Sequence, residues 1–121
     1  MALQRDVSSF MPGAVVQGFF GTVANGLTST GTTNADALQL GSAINRVTTT
    51  AASTGVLLPL PNPGDRVTVI NSGANALLVY PGTGATINAL TATTGGFSVA
   101  AGGRADFVGV TNTNWFAVLS A

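Results

Sequence analysis

"RVTVINSGANALLVYP", Arg66 to Pro81, carries the clearest secondary-structure pattern in the chain. Two runs rich in Val, Ile and Leu, Arg66 to Asn71 and Ala76 to Tyr80, flank the four residues Ser72-Gly73-Ala74-Asn75. Branched side chains suit a pleated, half-buried surface, and Ser, Gly and Asn supply the positive-φ positions of a short reversal. The stretch therefore predicts a β-hairpin whose two strands pair antiparallel.

The same alternation of short apolar runs and turn residues continues in both directions from this stretch. Downstream, Ala85 to Asn88, Gly96 to Gly102, Arg104 to Thr111 and Asn114 to Ser120 read as strands; upstream, Asp36 to Leu40, Ala43 to Thr50 and Gly55 to Pro59 do the same. Helical periodicity is hard to find. The fold class predicted is all-β: an antiparallel β-sandwich or jelly-roll-like domain of about eight strands over residues 36–121. Between the strands lies "LPLPNPGD", Leu58 to Asp65. Proline cannot donate to a ladder, so this segment is expected to leave the sheet as a rigid connection and to turn at Pro63-Gly64.

Several strands carry apolar residues on both alternating faces. Val67 and Val69 oppose Ile70, and Trp115 and Leu119 oppose Phe116 and Val118. One face fills the core, and the other asks for a second layer or a neighbouring subunit.

The N-terminal part differs in character. Residues 1–23 read as an arm: Phe10 to Val23 holds three of the six phenylalanines, with Phe10, Met11, Pro12, Phe19 and Phe20 as its apolar contacts. Residues 24–35 read as a Gly/Thr/Asn linker. The alternative is that the arm folds back as an edge strand on its own sandwich.

Composition narrows the chemistry. The 121 residues include no cysteine and no histidine, which removes thiolate catalysis, disulfides and the commonest general base and transition-metal ligand. Charged residues are 7% of the chain: four arginines (5, 46, 66, 104) and four aspartates (6, 36, 65, 106), giving a net charge of zero. Duplex binding draws on several cationic phosphate contacts, which this set does not supply. A surface so short of charge is suited to being covered by other protein. No run approaches a membrane span, and Ser, Pro, Gly and Gln interrupt the early apolar residues before a secretory core builds up.

The glycines of "VYPGTGATIN", Val79 to Asn88, invite a phosphate-loop reading, but no lysine follows and Ala85 to Asn88 is strand-like, so they are read as turn residues. Asp65 and Asp106 are the best-placed carboxylates for hydrolysis; each has an arginine within two positions, Arg66 and Arg104, which suits local ion pairs. Tyr80, Trp115 and Phe116 are either core or a stacking platform for a sugar. No catalytic residue, cofactor site or metal site is predicted.

From Gly26 onward the chain resembles a β-rich module of virion structural proteins in tailed bacteriophages. The residues that carry the resemblance are "GLTSTGTTNADALQL", "INRVTTTAASTGVLLP", "PGDRVTVINSGANALLVYPGTGATIN" and "NTNWFAVLS". A short, stand-alone copy is similar to capsid decoration, or cement, proteins. The resemblance implies a homotrimeric sandwich on the outer capsid surface of the virion, partnered by the major capsid protein, with the arm as a capsid-binding element and no nucleic acid, membrane or small-molecule substrate. The alternative it implies is a tail, fibre or baseplate component that binds a host glycan.

Overall fold

In the computed structural model, residues 22–120 are described, and they form an all-β, two-sheet structure with no helix among them. Ten strands follow in order: β1 Val23–Thr28, β2 Leu38–Gln39, β3 Ile44–Thr49, β4 Gly55–Leu57, β5 Arg66–Asn71, β6 Leu77–Tyr80, β7 Thr86–Ile87, β8 Phe97–Val99, β9 Arg104–Gly109 and β10 Asn114–Ser120. The larger sheet has the order β1-β3-β5-β9-β10-β7, and the smaller β2-β4-β6-β8.

Most strands lie where the apolar runs predict them, but their connections do not. The β5 and β6 runs sit in different sheets, so the expected hairpin does not form. Strand β5 pairs parallel with β3 and antiparallel with β9, whereas β6 pairs parallel with β4 and antiparallel with β8. From β1 to β6 the chain alternates between the two sheets, one strand in each per turn of a flattened coil. Each return brings the chain into the same sheet in the same direction. The pairs β1·β3, β3·β5, β2·β4 and β4·β6 are consequently parallel, as is β7·β10. The expectation of an antiparallel sandwich is corrected on this point. A parallel pair needs a long crossover, and here a strand of the opposite sheet fills the role more often given to a helix.

The inward faces of the two sheets make the core. Val47, Val67, Val69, Ala105, Phe107 and Trp115 face Val56, Leu58, Leu77, Val79 and Val99, all of them buried. Phe97 meets Phe107 edge-on at 5.6 Å between ring centres, a favourable quadrupole arrangement. The indole N–H of Trp115 donates to Pro59 O at 3.2 Å, so the proline-rich segment closes over one end of the core. That segment then turns at Pro63-Gly64, with Asp65 N–H donating to Asn62 O at 3.0 Å and Gly64 at φ 92°.

The stretch predicted as a linker, 24–35, is strand as far as Thr28, parallel to β3. Thr30 then bridges to Gly55. Its Gly, Asn and Thr content hides the strand because only Leu27 packs against the core. A bulge between Ala24 and Leu27, with Gly26 at φ 76°, absorbs Asn25-Gly26.

One edge is closed by a side chain. Strand β7 pairs with β10 only through Asn114 and Trp115. Beyond it Asn88, at φ 52°, turns its amide onto β10: Oδ1 accepts from Ala117 N–H at 3.0 Å and Nδ2 donates to Ala117 O at 3.4 Å. The side chain imitates one more strand residue, which blunts an edge that would otherwise template pairing with another chain. Asn88→Gly keeps the backbone conformation and removes the amide. Its expected outcome is larger species whose share grows with protein concentration, measured by light scattering against the parent chain.

Candidate interaction surface

Cross-strand partners share a face, so the register fixes what the larger sheet shows on its outward side. One row is Arg66, Val108 and Phe116; a second is Val23, Ile44, Thr68, Asp106 and Val118; a third is Arg46, Ile70 and Arg104. Val110, two residues beyond Val108 and bonded through its N–H to Asn114 O, extends the first row's corner. Val108, Val110, Phe116 and Val118 thus form one apolar patch on β9, β10 and the residue that follows β9. Phe116 is 50% exposed, Val110 52% and Val118 69%. At the opposite edge Val23 is 59% exposed.

The middle of this face is polar and internally satisfied. The Thr68 hydroxyl donates to Asp106 Oδ1 at 2.8 Å, and Arg104 Nη2 lies 3.7 Å from Asp106 Oδ2. Both charged side chains are about half exposed, where an ion pair contributes about 0–1 kcal/mol. Arg46 donates to Ser72 Oγ and Asn25 Oδ1, each at 3.1 Å. Asp65, which the sequence pairs with Arg66, instead accepts from Asn62 N–H at 3.0 Å and holds the Pro63-Gly64 turn, while Arg66 heads the first row.

The smaller sheet's outer face is treated differently. There Tyr80 is buried, its ring against Gly55 and its hydroxyl 3.5 Å from Thr32 O. The loop that covers it, residues 31–36, is organised by one carboxylate. Asp36 Oδ1 accepts from Thr32 N–H at 3.1 Å, Thr33 N–H at 2.9 Å and the Thr33 hydroxyl at 3.1 Å. Gly31, at φ 73°, packs so closely on Asp36 that a Cβ there would overlap the carboxylate. Sequence reading gave Asp36 no role; the Thr-Thr-Asn-Ala-Asp run, rich in residues that bond their own backbone, is the signal it missed.

The Thr33 N–H and hydroxyl hold the Asp36 carboxyl below the usual carboxylate range. A depressed folded-state pKa stabilises the loop above the ordinary value and loses that contribution as pH falls through the folded one. Amide exchange at Thr32 and Thr33 is therefore expected to accelerate on acidification below the ordinary aspartate range, with the core strands unaffected. Asp36→Ala is expected to show the faster exchange already at neutral pH.

The remaining sequence candidates find these places. Gly82 to Ala85 is a turn in which Ala85 N–H donates to Gly82 O at 2.9 Å and Gly84 has φ 83°. The Gly84 N–H is taken by the Thr93 hydroxyl at 2.8 Å, which leaves that amide bonded within the chain instead of aimed at an anion. Asp65 and Asp106 are each held as described, at a turn and in mid-strand. Among the described residues no three acidic side chains gather as a metal site would require. Trp115 lies in the core and Tyr80 is buried under the 31–36 loop, so of the three candidate stacking residues Phe116 alone presents its ring to solvent. The arm residues Phe10, Met11, Pro12, Phe19 and Phe20 lie outside the described residues. Comparison with protein-family models, with curated proteins and with solved structures finds no match to this chain.

Proposed function

We propose that the chain is a capsid decoration protein of a tailed bacteriophage, which binds the outer surface of the major capsid shell as a homotrimer and stabilises it. The observation that carries this reading is the uncovered patch of Val108, Val110, Phe116 and Val118 on a domain of zero net charge. Contiguous exposed apolar side chains mark surfaces that other protein covers, and a charge-poor domain loses little by desolvation when covered. The role is structural, without catalysis or cofactor. The resemblance supplies the partner, and the arm, with Phe10, Met11, Pro12, Phe19 and Phe20, supplies a second point of attachment. Arms and patches multiplied by three raise the effective concentration of each contact once the first is seated. A glycan-binding tail component is less well supported, because Tyr80 and Trp115 are unavailable for stacking.

Co-sedimentation with purified empty shells tests the reading. Full burial of one Val or Phe side chain is worth about 1.5–3 kcal/mol, so Phe116→Asp and Val118→Asp are each expected to weaken shell binding by about tenfold or more. Both positions face solvent, so the unfolding midpoint of the isolated protein is expected to stay close to the parent's. Undiminished binding by the double variant, or failure of the parent chain to bind shells or raise their melting temperature, would overturn the proposal.

A further inference from the structure

We propose that Asn25 is a self-modifying site, at which the side-chain amide cyclises onto the Gly26 nitrogen with help from Arg46 and leaves a carboxylate on β1. Among the asparagines of the chain only Asn25 is followed by glycine. The attacking atom is the backbone nitrogen of the next residue, and a Cβ on that residue would crowd its approach. Gly26 has none, and a Cβ built there would meet nothing within 4 Å, so no neighbour obstructs that side. Both residues are exposed. Ala24 pairs with Asn45 and Leu27 with Val47, so Asn25 and Gly26 together oppose the single residue Arg46 across the bulge.

Arg46 is set to act on the amide. Its Nε donates to Ser72 Oγ at 3.1 Å, which anchors the guanidinium, and Nη1 donates to Asn25 Oδ1, also at 3.1 Å. When the Gly26 nitrogen gives its proton to solvent and attacks Asn25 Cγ, a C–N bond forms and negative charge gathers on Oδ1. The Arg46 donor already rests on that oxygen, so it stabilises the charge as it develops. The Cγ–Nδ2 bond then breaks, and the nitrogen takes protons from solvent and departs as ammonia. Water adds to one carbonyl of the resulting five-membered imide and breaks its bond to the ring nitrogen. Opening at Cγ gives aspartate; opening at the main-chain carbonyl gives isoaspartate, with the chain rerouted through the side chain. The net change is amide plus water to carboxylic acid plus ammonia, with no oxidant or cofactor. Ionised, the new group stands opposite Arg46 and takes the chain's net charge from zero to minus one.

The test follows the full-length chain in mildly alkaline buffer, folded and in urea, by peptide mapping with mass spectrometry and by enzymatic methylation of isoaspartate. Unfolded chain reports the rate that the Asn-Gly pair has without Arg46 held in place. The folded chain is expected to convert Asn25 at least as fast, ahead of every other asparagine. Removing a donor from an enclosed oxyanion site costs about 100–1,000-fold; water substitutes in part at an exposed one, so Arg46→Met is expected to slow the folded chain about tenfold. The same variant should leave the rate in urea unchanged. Ser72→Ala, which keeps the charge but frees the guanidinium from its anchor, is expected to slow the folded chain to a smaller extent. Arg66→Met, which removes an equal charge from the same sheet, is expected to leave it as it was. Two results overturn the inference. Folded chain much slower than unfolded would mean that β1 protects the amide, and a folded Arg46→Met chain as fast as the parent or faster would mean that the guanidinium only restrains it.

Discussion

Asn71→Ala is expected to lower the unfolding free energy by about 3–5 kcal/mol, a large share of the ~5–15 kcal/mol that a domain of this size possesses. The side chain is fully buried where β5 leaves the larger sheet, and every bonding position of its amide is used. Nδ2 donates to Asn75 O at 2.8 Å and to Val99 O at 3.0 Å; Oδ1 accepts from the Thr50 hydroxyl at 2.9 Å and from Gly73 N–H at 3.1 Å. The backbone joins in, with Asn71 N–H donating to Gly103 O and Gly102 N–H to Asn71 O. One residue thus ties the ends of β3, β5 and β8 to the crossing between sheets. Truncation strands the Thr50 hydroxyl and the Val99 carbonyl in a buried place, each at about 1–3 kcal/mol when unpaired, whereas Asn75 O and Gly73 N–H lie nearer solvent and cost less. Asn71→Asp is expected to fare no better, because it removes both donors and adds a buried charge. Urea unfolding followed by circular dichroism measures both. A loss below about 1 kcal/mol for Asn71→Ala would show that water replaces the amide at no cost.

A second buried asparagine gives the internal control. Asn45 also faces the interior from β3, yet its Oδ1 has no partner among the described residues, and Nδ2 donates to Ser42 O at 2.8 Å with a long contact of 3.4 Å to Thr68 O. Removing this amide strands one good acceptor and relieves one unpaired one. Similar composition and burial at the two sites thus lead to unequal energetic consequences, and the difference lies in how many bonds each amide completes.

The same corner explains what the sequence made legible. Apolar alternation located β2 to β10 but not β1, because burial on a pleated surface leaves a period of two whatever the partner and β1 buries little. It could not tell that Ser72 to Ala76 carries the chain to the opposite sheet instead of reversing it within one. A hairpin and an inter-sheet corner use the same Gly and Asn residues, and the distinction rests on Asn71 bonding to Thr50 and Val99, which are distant in sequence. Parallel pairing was hidden for the same reason: direction is a property of the connections, and the strands would read alike either way. At the surface, apolar residues on both faces of β5 and β10 did announce that something must cover the outward side. The patch itself became visible only when the register brought Val108 and Phe116 side by side. Asp36 escaped notice because its three bonds are local and its charge unremarkable.

Trp115→Ala is expected to unfold the protein at physiological temperature or to lower its melting temperature by on the order of 15 °C or more. Trp115 is the largest wholly buried side chain, placed on β10 with Ile87 of β7 on one side and Gly109 of β9 on the other. Gly109 offers no side chain at that register, and a Cβ there would come within 2.6 Å of Asn62 O. The Asn62 carbonyl and the Pro61 and Asp65 side chains close on that glycine, so β9 has no side chain at this register to fill the volume that truncation of the indole would leave. Large aromatic-to-alanine changes in such cores cost about 3–5 kcal/mol, and the unpaired Pro59 carbonyl adds about 1 kcal/mol. The two terms separate in Trp115→Phe, which keeps much of the ring volume but loses the N–H, with an expected cost of about 1–2 kcal/mol. A larger effect would follow if the Pro59 bond were what keeps "LPLPNP" seated over the end of the core. Hydrogen exchange at Leu58 and Gly64, whose N–H groups donate to Tyr80 O and Gly109 O, distinguishes these outcomes in the phenylalanine variant: protection like the parent's assigns the cost to packing, and local loss of protection assigns it to the closing of that segment.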